Sequence, residues 1–377
     1  MRLAMTLMVR DEVDVVAAML EHHRAQGIDV FIVTDNGSVD GTVEAIERFA
    51  QTAEVDLRHD PVHRKQQSAT VTRMARDAHS QHGADWVINA DADEFWVPTR
   101  EAKLRERFAT VPREIGTFQV PVVDLTGTPA LNGTGFDRLI WRDLRPLEQL
   151  QLAGLHAHST PNAVHIGDPE IVVSQGNHEV SRPAGKLPPE GPGIEVLHLP
   201  WRSWNQFAKK VENSGKAYEA NPEMTPSPNH HGMRDYRRWS EGTLLSTYVA
   251  RHPSAAELAA GRELGWFTEE TRLSTSGLPA VPDQPLEDHE NLLRQGRAVI
   301  AREWENTRQL EALNAELREF HRKLSEVEKA LDSSEAEVAS LRARRLVRIV
   351  DHLRHRSSRV FASSPRPVKH RPQDPGE

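Results

Sequence analysis

The 377-residue sequence predicts an α/β fold: a mostly parallel central sheet flanked by helices, followed by a C-terminal coiled-coil helix. Two patterns carry the prediction. Through the first hundred residues, apolar strand-like runs alternate with segments of helical spacing, the βαβ order that winds a parallel sheet. From Leu310 to Leu341, apolar residues recur at alternating steps of three and four, which is the spacing of a coiled-coil seam.

Taken in order, Leu3 to Val9 reads as the first buried strand. Val13, Val16, Ala17, Leu20 and Arg24 follow helical spacing up to a stop at Gly27. Val30-Phe31-Ile32-Val33 is a second strand, closed by the polar turn Asp35-Asn36-Gly37-Ser38, and Val43, Ile46 and Phe49 mark the next helix. Glu54 to Arg58 is a third strand and Gln67 to His82 a third helix, carried by Val71, Met74, Ala75 and Ala78. Trp86 to Asn89 is a fourth strand. From Gly116 onwards short strand-like pieces are broken by glycine and proline, so a more antiparallel second half is expected on the same sheet. Residues 183 to 193 and 221 to 232 have loop composition. Ser203-Trp204-Asn205-Gln206 opens a helix as a capping box, with Trp204, Phe207, Val211 and Tyr218 on one face. The seam comprises Leu310, Leu313, Leu317, Phe320, Leu324, Val327, Leu331, Ser334, Val338 and Leu341, and it predicts a homo-oligomer formed through residues 310 to 341. The expected divisions are 1–275 for the globular domain, 276–290 for a linker, 291–350 for the coiled-coil helix and 351–377 for a basic disordered tail.

Composition excludes several classes. Hydrophobic residues make up 38% and charged residues 27%, and no apolar run approaches the roughly 20 residues of a membrane-spanning helix. The absence of cysteine removes disulfides and thiolate metal sites and fits a reducing compartment, so a cytoplasmic location is expected. Residues 342 to 377 hold ten Lys/Arg against three Asp/Glu, a net +7, which leaves −15 on the rest of a chain whose total is −8. An acidic body argues against nucleic-acid binding. The basic tail suits either solvent or the inner face of a membrane, where it would make a peripheral contact.

Two acidic positions carry chemistry. In "DWVINADADEFW", residues 85 to 96, Asp91 and Asp93 follow the fourth strand, on the side where ligands of parallel sheets collect. Read as an extended segment, their side chains share a face. Carboxylates so close raise each other's pKa unless a cation intervenes, and Mn²⁺ or Mg²⁺ with a substrate diphosphate would satisfy them. Asp35, at the end of the second strand, is placed to accept hydrogen bonds from a nucleobase or ribose, while Asn36 and Ser38 read as an Asx-turn and helix cap. Lys65 and Arg73 are cations that could meet a phosphate.

"MVRDE", "DVFIVTDNGSVDGT" and "DWVINADADEFW", in that order, and then "VLHLPWRSWNQFAKKVENSGKAYE" at residues 196 to 219, resemble the landmarks of family 2 glycosyltransferases with the GT-A fold, in the branch whose metal motif is D-x-D-E-F. The resemblance spans about residues 3 to 275. It implies that Arg10 and Glu12 line the nucleotide pocket, that Asp35 meets the base or ribose, and that Asp91 and Asp93 bind metal and diphosphate, with Asp93 the preferred direct ligand. It further implies that His198 completes the metal site. Displacement of a nucleoside diphosphate needs a base for the acceptor hydroxyl. "SQGNHEV", residues 174 to 180, offers Glu179 with His178 beside it, and Asp168 or Glu170 would serve chemically.

The expected function is therefore metal-dependent, inverting transfer of a sugar from a nucleotide-diphosphate donor, a UDP-sugar, to a glycan or lipid-linked acceptor in a cell-surface polysaccharide or glycoconjugate. A nucleotidyltransferase is the alternative enzyme, but it calls for a glycine-rich basic loop after the first strand, where this chain reads "MVRDEVDVV". A non-catalytic scaffold working through the coiled coil is the alternative outside enzymes.

Overall fold

The computed structural model describes residues 1–62, 67–187, 191–219, 231–273 and 275–360, and the chain divides into two compact units, Met1–Glu303 and Trp304–Glu377. The first unit opens with β1 (Leu3–Val9), α1 (Val16–Gln26), β2 (Val30–Asp35), α2 (Thr42–Ala50), β3 (Glu54–His59), α3 (Gln67–Ser80) and β4 (Trp86–Ala90). These four strands pair in parallel in the order β3-β2-β1-β4. The period of two along the strands sorts their side chains between two cores. Leu3, Met5, Leu7, Phe31, Val33, Trp86 and Ile88 face one side, with Val16, Met19 and Leu20 of α1. Ala4, Val30, Ile32 and Val87 face the other, where α3 lays Val71, Met74, Ala75 and Ala78. Burial of Val71 and Met74 contributes about 1.5–3 kcal/mol each. α1 stops at Gly27, whose φ of 96° is the left-handed cap that only glycine adopts without cost.

The chain continues through β5 (Glu94–Pro98), α4 (Leu104–Thr110), β6 (Thr117–Val120), β7 (Val122–Thr126), β8 (Ala130–Asn132), β9 (Trp141–Asp143), α5 (Leu147–Leu152), β10 (Asn162–Ile166) and β11 (Ile194–His198). β10 and β6 add antiparallel strands to the first sheet, giving β3-β2-β1-β4-β10-β6. The remaining long strands do not join that sheet. They form a second one, β12-β9-β7-β11-β5, once β12 (Phe267–Glu269) returns after α6 (Trp204–Glu219), α7 (His231–Ser240), α8 (Leu244–Arg251) and α9 (Ala255–Glu263). The antiparallel character expected beyond Gly116 is thus present, but on two sheets. The reason lies at residues 91 to 93, where the chain turns out of β4 and into β5, carrying Phe95 and Trp96 away from the first sheet and into the shared core.

Unit 1 extends past the boundary read from the sequence. β13 (Gln284–Pro285) pairs with β8, and Arg138 reaches Asp283 at 3.2 Å, so residues 276–290 are tied to the globular unit. α10 (His289–Ala343) begins there with Gly296 and Ile300 buried. A Cβ at Gly296 would run into the Ser246 carbonyl of α8, which explains a glycine inside a helix. In unit 2, α10 continues with its seam residues exposed, and α11 (Arg345–Val360) runs ten residues beyond position 350, where the tail was expected to begin. Residues 361–377 of that tail lie outside the described residues. No helix among the described residues is long and apolar enough to cross a membrane.

Two buried histidines make stability depend on pH. His252 shares a 3.0 Å hydrogen bond with the Gly127 carbonyl and His165 a 2.8 Å bond with Ile166, and burial pushes their pKa values down to about 3 and about 4. A lowered histidine pKa leaves stability intact above the unfolded value near 6.5 and removes it as pH falls and the unfolded chain takes up the proton. A His252→Asn variant, which keeps an N–H for Gly127, has no such proton to take up. Its deficit relative to the parent should shrink by about 1.4 kcal/mol per pH unit between roughly pH 6 and pH 4, read by urea unfolding.

Candidate active site

The carboxyl ends of β1, β2 and β4 meet the ends of β7 and β11 and the first turns of α6. Residues 91 to 93 are a turn, held by Glu94 N–H donating to the Asp91 carbonyl at 3.2 Å and by Asp91 N–H donating to Glu94 Oε2 at 3.1 Å. The strand geometry expected for Asp91 and Asp93 is therefore not formed, and the two carboxylates have opposite surroundings. Asp91 accepts from the neutral amides of Gln67 and Asn177, each at 3.2 Å. Burial, then the charge of Asp93, raise its pKa. Among the described residues Asp91 has no ion pair. Asp93, 1% exposed, accepts from Lys210 Nζ at 2.7 Å, with Arg202 Nη1 at 3.4 Å and His198 Nε2 at 3.7 Å. Burial alone would raise Asp93, but Lys210 and His198 hold it well below the usual carboxylate range. Glu94, buried and accepting from Asn162 Nδ2 at 2.8 Å, is pushed up to about 8 by burial and by Asp91.

His198 sits in register with Asp124 on the neighbouring parallel strand. Its Nδ1 lies 2.7 Å from Asp124 Oδ1, to which Ser159 Oγ also donates at 2.7 Å. Burial opposes protonation of the ring, yet Asp93 and Asp124 outweigh it and push the pKa up to about 10. The pairing orients the imidazole so that Nε2 faces Asp93, as a carboxylate does for a metal-binding histidine. The donor types, two carboxylates and an imidazole, fit Mn²⁺ or Mg²⁺ with substrate oxygens completing the shell. The described residues hold no group of three His, Asp or Glu already gathered to grip an ion by themselves. Asp91 is the member with no ion pair among the described residues and a raised pKa, so it stands to gain most from a cation.

Arg202 is fully buried and links the two halves of the chain. It donates to Glu12 Oε2 at 2.5 Å and to Asp14 Oδ2 at 2.8 Å, both in the loop after β1. Burial pushes Glu12 up to about 7 against the pull of Arg202. The capping box at α6 forms by half. Ser203 Oγ accepts from Gln206 N–H at 3.5 Å, while the Gln206 side chain turns to Glu12 at 3.5 Å. Arg10 donates to the Asn36 carbonyl at 2.6 Å. Asp35 accepts from the N–H groups of Gly37 and Ser38, each at 3.1 Å, so it closes the Asx-turn itself; Asn36 instead donates to the carbonyls of Asp60 and Val62.

The structure thus brings Arg10, Glu12, Asp35, Asp91, Asp93 and His198 to one edge. His178 joins them, its Nδ1 3.1 Å from Asn162 Oδ1, on the residue that also holds Glu94. Glu179 does not: it is exposed, and its backbone pairs with Ser174. Asp168 pairs with Arg182 at 3.0 Å, Arg73 is exposed on α3, and Lys65 lies outside the described residues. Arg202, Lys210 and Asp124 went unassigned from sequence. The first two sit inside "HLPWRSWNQFAKK", where a histidine followed by a buried cation was a usable signal; Asp124, in the strand Val122–Thr126, gave none.

Residues 5–120 match the family model described as glycosyltransferase family 92. The motif resemblance is to family 2, so the two differ in family and agree in enzyme class. No curated protein matches the chain in sequence. Among solved structures, TarS of S. aureus is 10% identical, covering 70% of this chain and 52% of that one with a TM-score of 0.35, so the chain spans about half of that protein's length. TarS 1-349 in complex with UDP-GlcNAc is 9% identical, covering 81% and 92%, with a TM-score of 0.36. Glucosyl-3-phosphoglycerate synthase of Mycobacterium tuberculosis, with Mn²⁺, UDP and glucosyl-3-phosphoglycerate, is 13% identical, covering 67% and 81%, with a TM-score of 0.27. By the family match, the segment from residue 5 to residue 120, which holds Arg10, Glu12, Asp35, Asp91 and Asp93, is that of a glycosyltransferase.

Proposed function

We propose that the chain is a metal-dependent, inverting glycosyltransferase of GT-A type that moves a sugar from a UDP-sugar to a cell-surface polysaccharide or glycoconjugate acceptor. One observation carries the reading: a half-buried aspartate, Asp91, with no ion pair among the described residues, and a buried one, Asp93, ringed by Lys210, Arg202 and His198, at the carboxyl edge of a parallel sheet that also carries Asp35. Such an edge suits a diphosphate, whose own negative charge is unwelcome without cations from protein and solvent. Asp91 and Asp93 would hold Mn²⁺ or Mg²⁺, joined by His198 once the ion displaces its Nε2 proton, and the ion when bound supplies charge stabilisation to the leaving diphosphate. Lys210 lends a second, permanent cation at the same place. Asp35, Arg10 and Glu12 would orient the nucleotide. His178, rather than the exposed Glu179, is the better placed to receive the acceptor's proton, since its ring is held 3.1 Å from Asn162, the residue that also holds Glu94. The enzyme would act in the cytoplasm or against the inner face of a membrane.

The test is a panel of nucleotide sugars with Mn²⁺ or Mg²⁺, scored for nucleotide release and paired with melting curves. UDP with Mn²⁺ at a hundredfold excess over Kd should stabilise the protein by about 2.7 kcal/mol, a rise of roughly 5–10 °C. No release from any donor and no shift with any nucleotide would overturn the proposal.

A further inference from the structure

We propose that the α10 segment from Leu310 to Leu341 binds a second copy of itself, parallel and in register. All nine apolar members of the seam are exposed within unit 2, Phe320 by 74% and Leu310 by 60%. Steps of three and four assign Leu310, Leu317, Leu324, Leu331 and Val338 to position a of a heptad, and Leu313, Phe320, Val327, Ser334 and Leu341 to position d. The ion pairs within the helix respect this assignment. Arg308–Glu305, Arg322–Glu319 and Arg322–Glu326, at 3.7, 2.7 and 2.5 Å, join positions c and f on the outer face, away from the seam.

The flanking charges select the partner and its direction. In a parallel pair, position g of one helix meets position e of the next heptad on the other. Here that brings Glu316 to His321, Lys323 to Glu328 and Glu337 to Arg342, with no like-charge encounter. Within its own helix Lys323 lies 3.4 Å from Glu319, a longer contact than the outer-face bonds of Arg322. In the antiparallel alignment that overlays the whole seam, g faces g and e faces e. Lys323 then meets Lys323 or Ala330, and Glu328 meets His321 or Glu328, so the Lys–Glu pair is lost. A second copy of this chain supplies both the apolar stripe and the matching charges, in one orientation.

The absence of cysteine makes the test direct. Size-exclusion chromatography with light scattering on the full chain should give a mass of at least two chains. Ser334→Cys places a single thiol at position d, where parallel, in-register helices bring the two sulfurs together, and with dissolved oxygen and copper phenanthroline as oxidant it should convert almost entirely to a covalent dimer. Ser325→Cys, at outer position b, should stay monomeric on a denaturing gel under the same conditions. A stagger of one heptad would separate the Ser334→Cys thiols by about 10 Å along the axis, beyond disulfide reach. Leu324→Glu should return the mass to one chain while leaving the unfolding of the globular unit in place. A single-chain mass for the parent protein overturns the proposal. So does a larger mass in which Ser334→Cys crosslinks no more than Ser325→Cys.

Discussion

Arg202→Met should destabilise the globular unit by about 3–5 kcal/mol, a fall in melting temperature of roughly 10 °C, whatever ligand is present. Methionine nearly fills the volume, so packing is not the main loss. The loss is electrostatic. Arg202 is 0% exposed and holds Glu12 and Asp14 at 2.5 and 2.8 Å, with Asp93 at 3.4 Å, so three carboxylates are left facing one another in a buried space. A buried pair is not itself strong evidence of stability, since desolvation offsets attraction; removing one partner is what costs several kcal/mol. Arg202→Lys should recover little, because the three N–H groups of an ammonium radiate from one nitrogen and cannot span the places where the guanidinium sets Nη2 on Glu12 and Nε on Asp14. Urea unfolding of the two variants checks this, and a Lys variant as stable as the parent would refute the fork's role.

Arg202 also shows what the sequence could and could not reveal. The βαβ order was legible because each strand and helix of the first sheet declares itself over five to fourteen neighbouring residues, and periodicity is a local signal. Asp35, Asp91 and Asp93 were legible for the same reason, as acids at the ends of apolar runs. The turn at Asp91–Asp93 was not, because the pull that takes the chain from β4 into a second sheet comes from β11 and β7, more than twenty-five residues downstream. Asp124 faces His198 across 74 residues of sequence, and Arg202 faces Glu12 across 190. Nothing in the spacing of either pair announces that contact. Glu179 looked attractive as a base because acid follows histidine there, yet the bridge between Val173 and Val180 leaves His178 with Asn162 and Glu179 exposed.

Asp91→Asn should separate folding from chemistry at the same turn. The side chain retains an Oδ1 that can accept from Gln67 and Asn177, both neutral donors at 3.2 Å, and it sheds a charge that repels Asp93. Its melting temperature should therefore lie within a few degrees of the parent's, since a surviving hydrogen bond of this kind is worth only about 1 kcal/mol either way. Activity should not survive so well. If Asp91 is the carboxylate that draws a divalent ion to the donor's diphosphate, kcat/KM for nucleotide release should fall on the order of 10²-fold or more, the scale seen when one electrostatic stabiliser is removed. Asp93→Asn is the informative contrast. It strips the partner from Lys210 at 2.7 Å and weakens the hold on Arg202 and His198, so it should lose both activity and several degrees of stability. Equal activity in the Asp91→Asn variant and the parent would remove Asp91 from the site. Equal stability in Asp93→Asn would show that Lys210 and Arg202 are anchored without it.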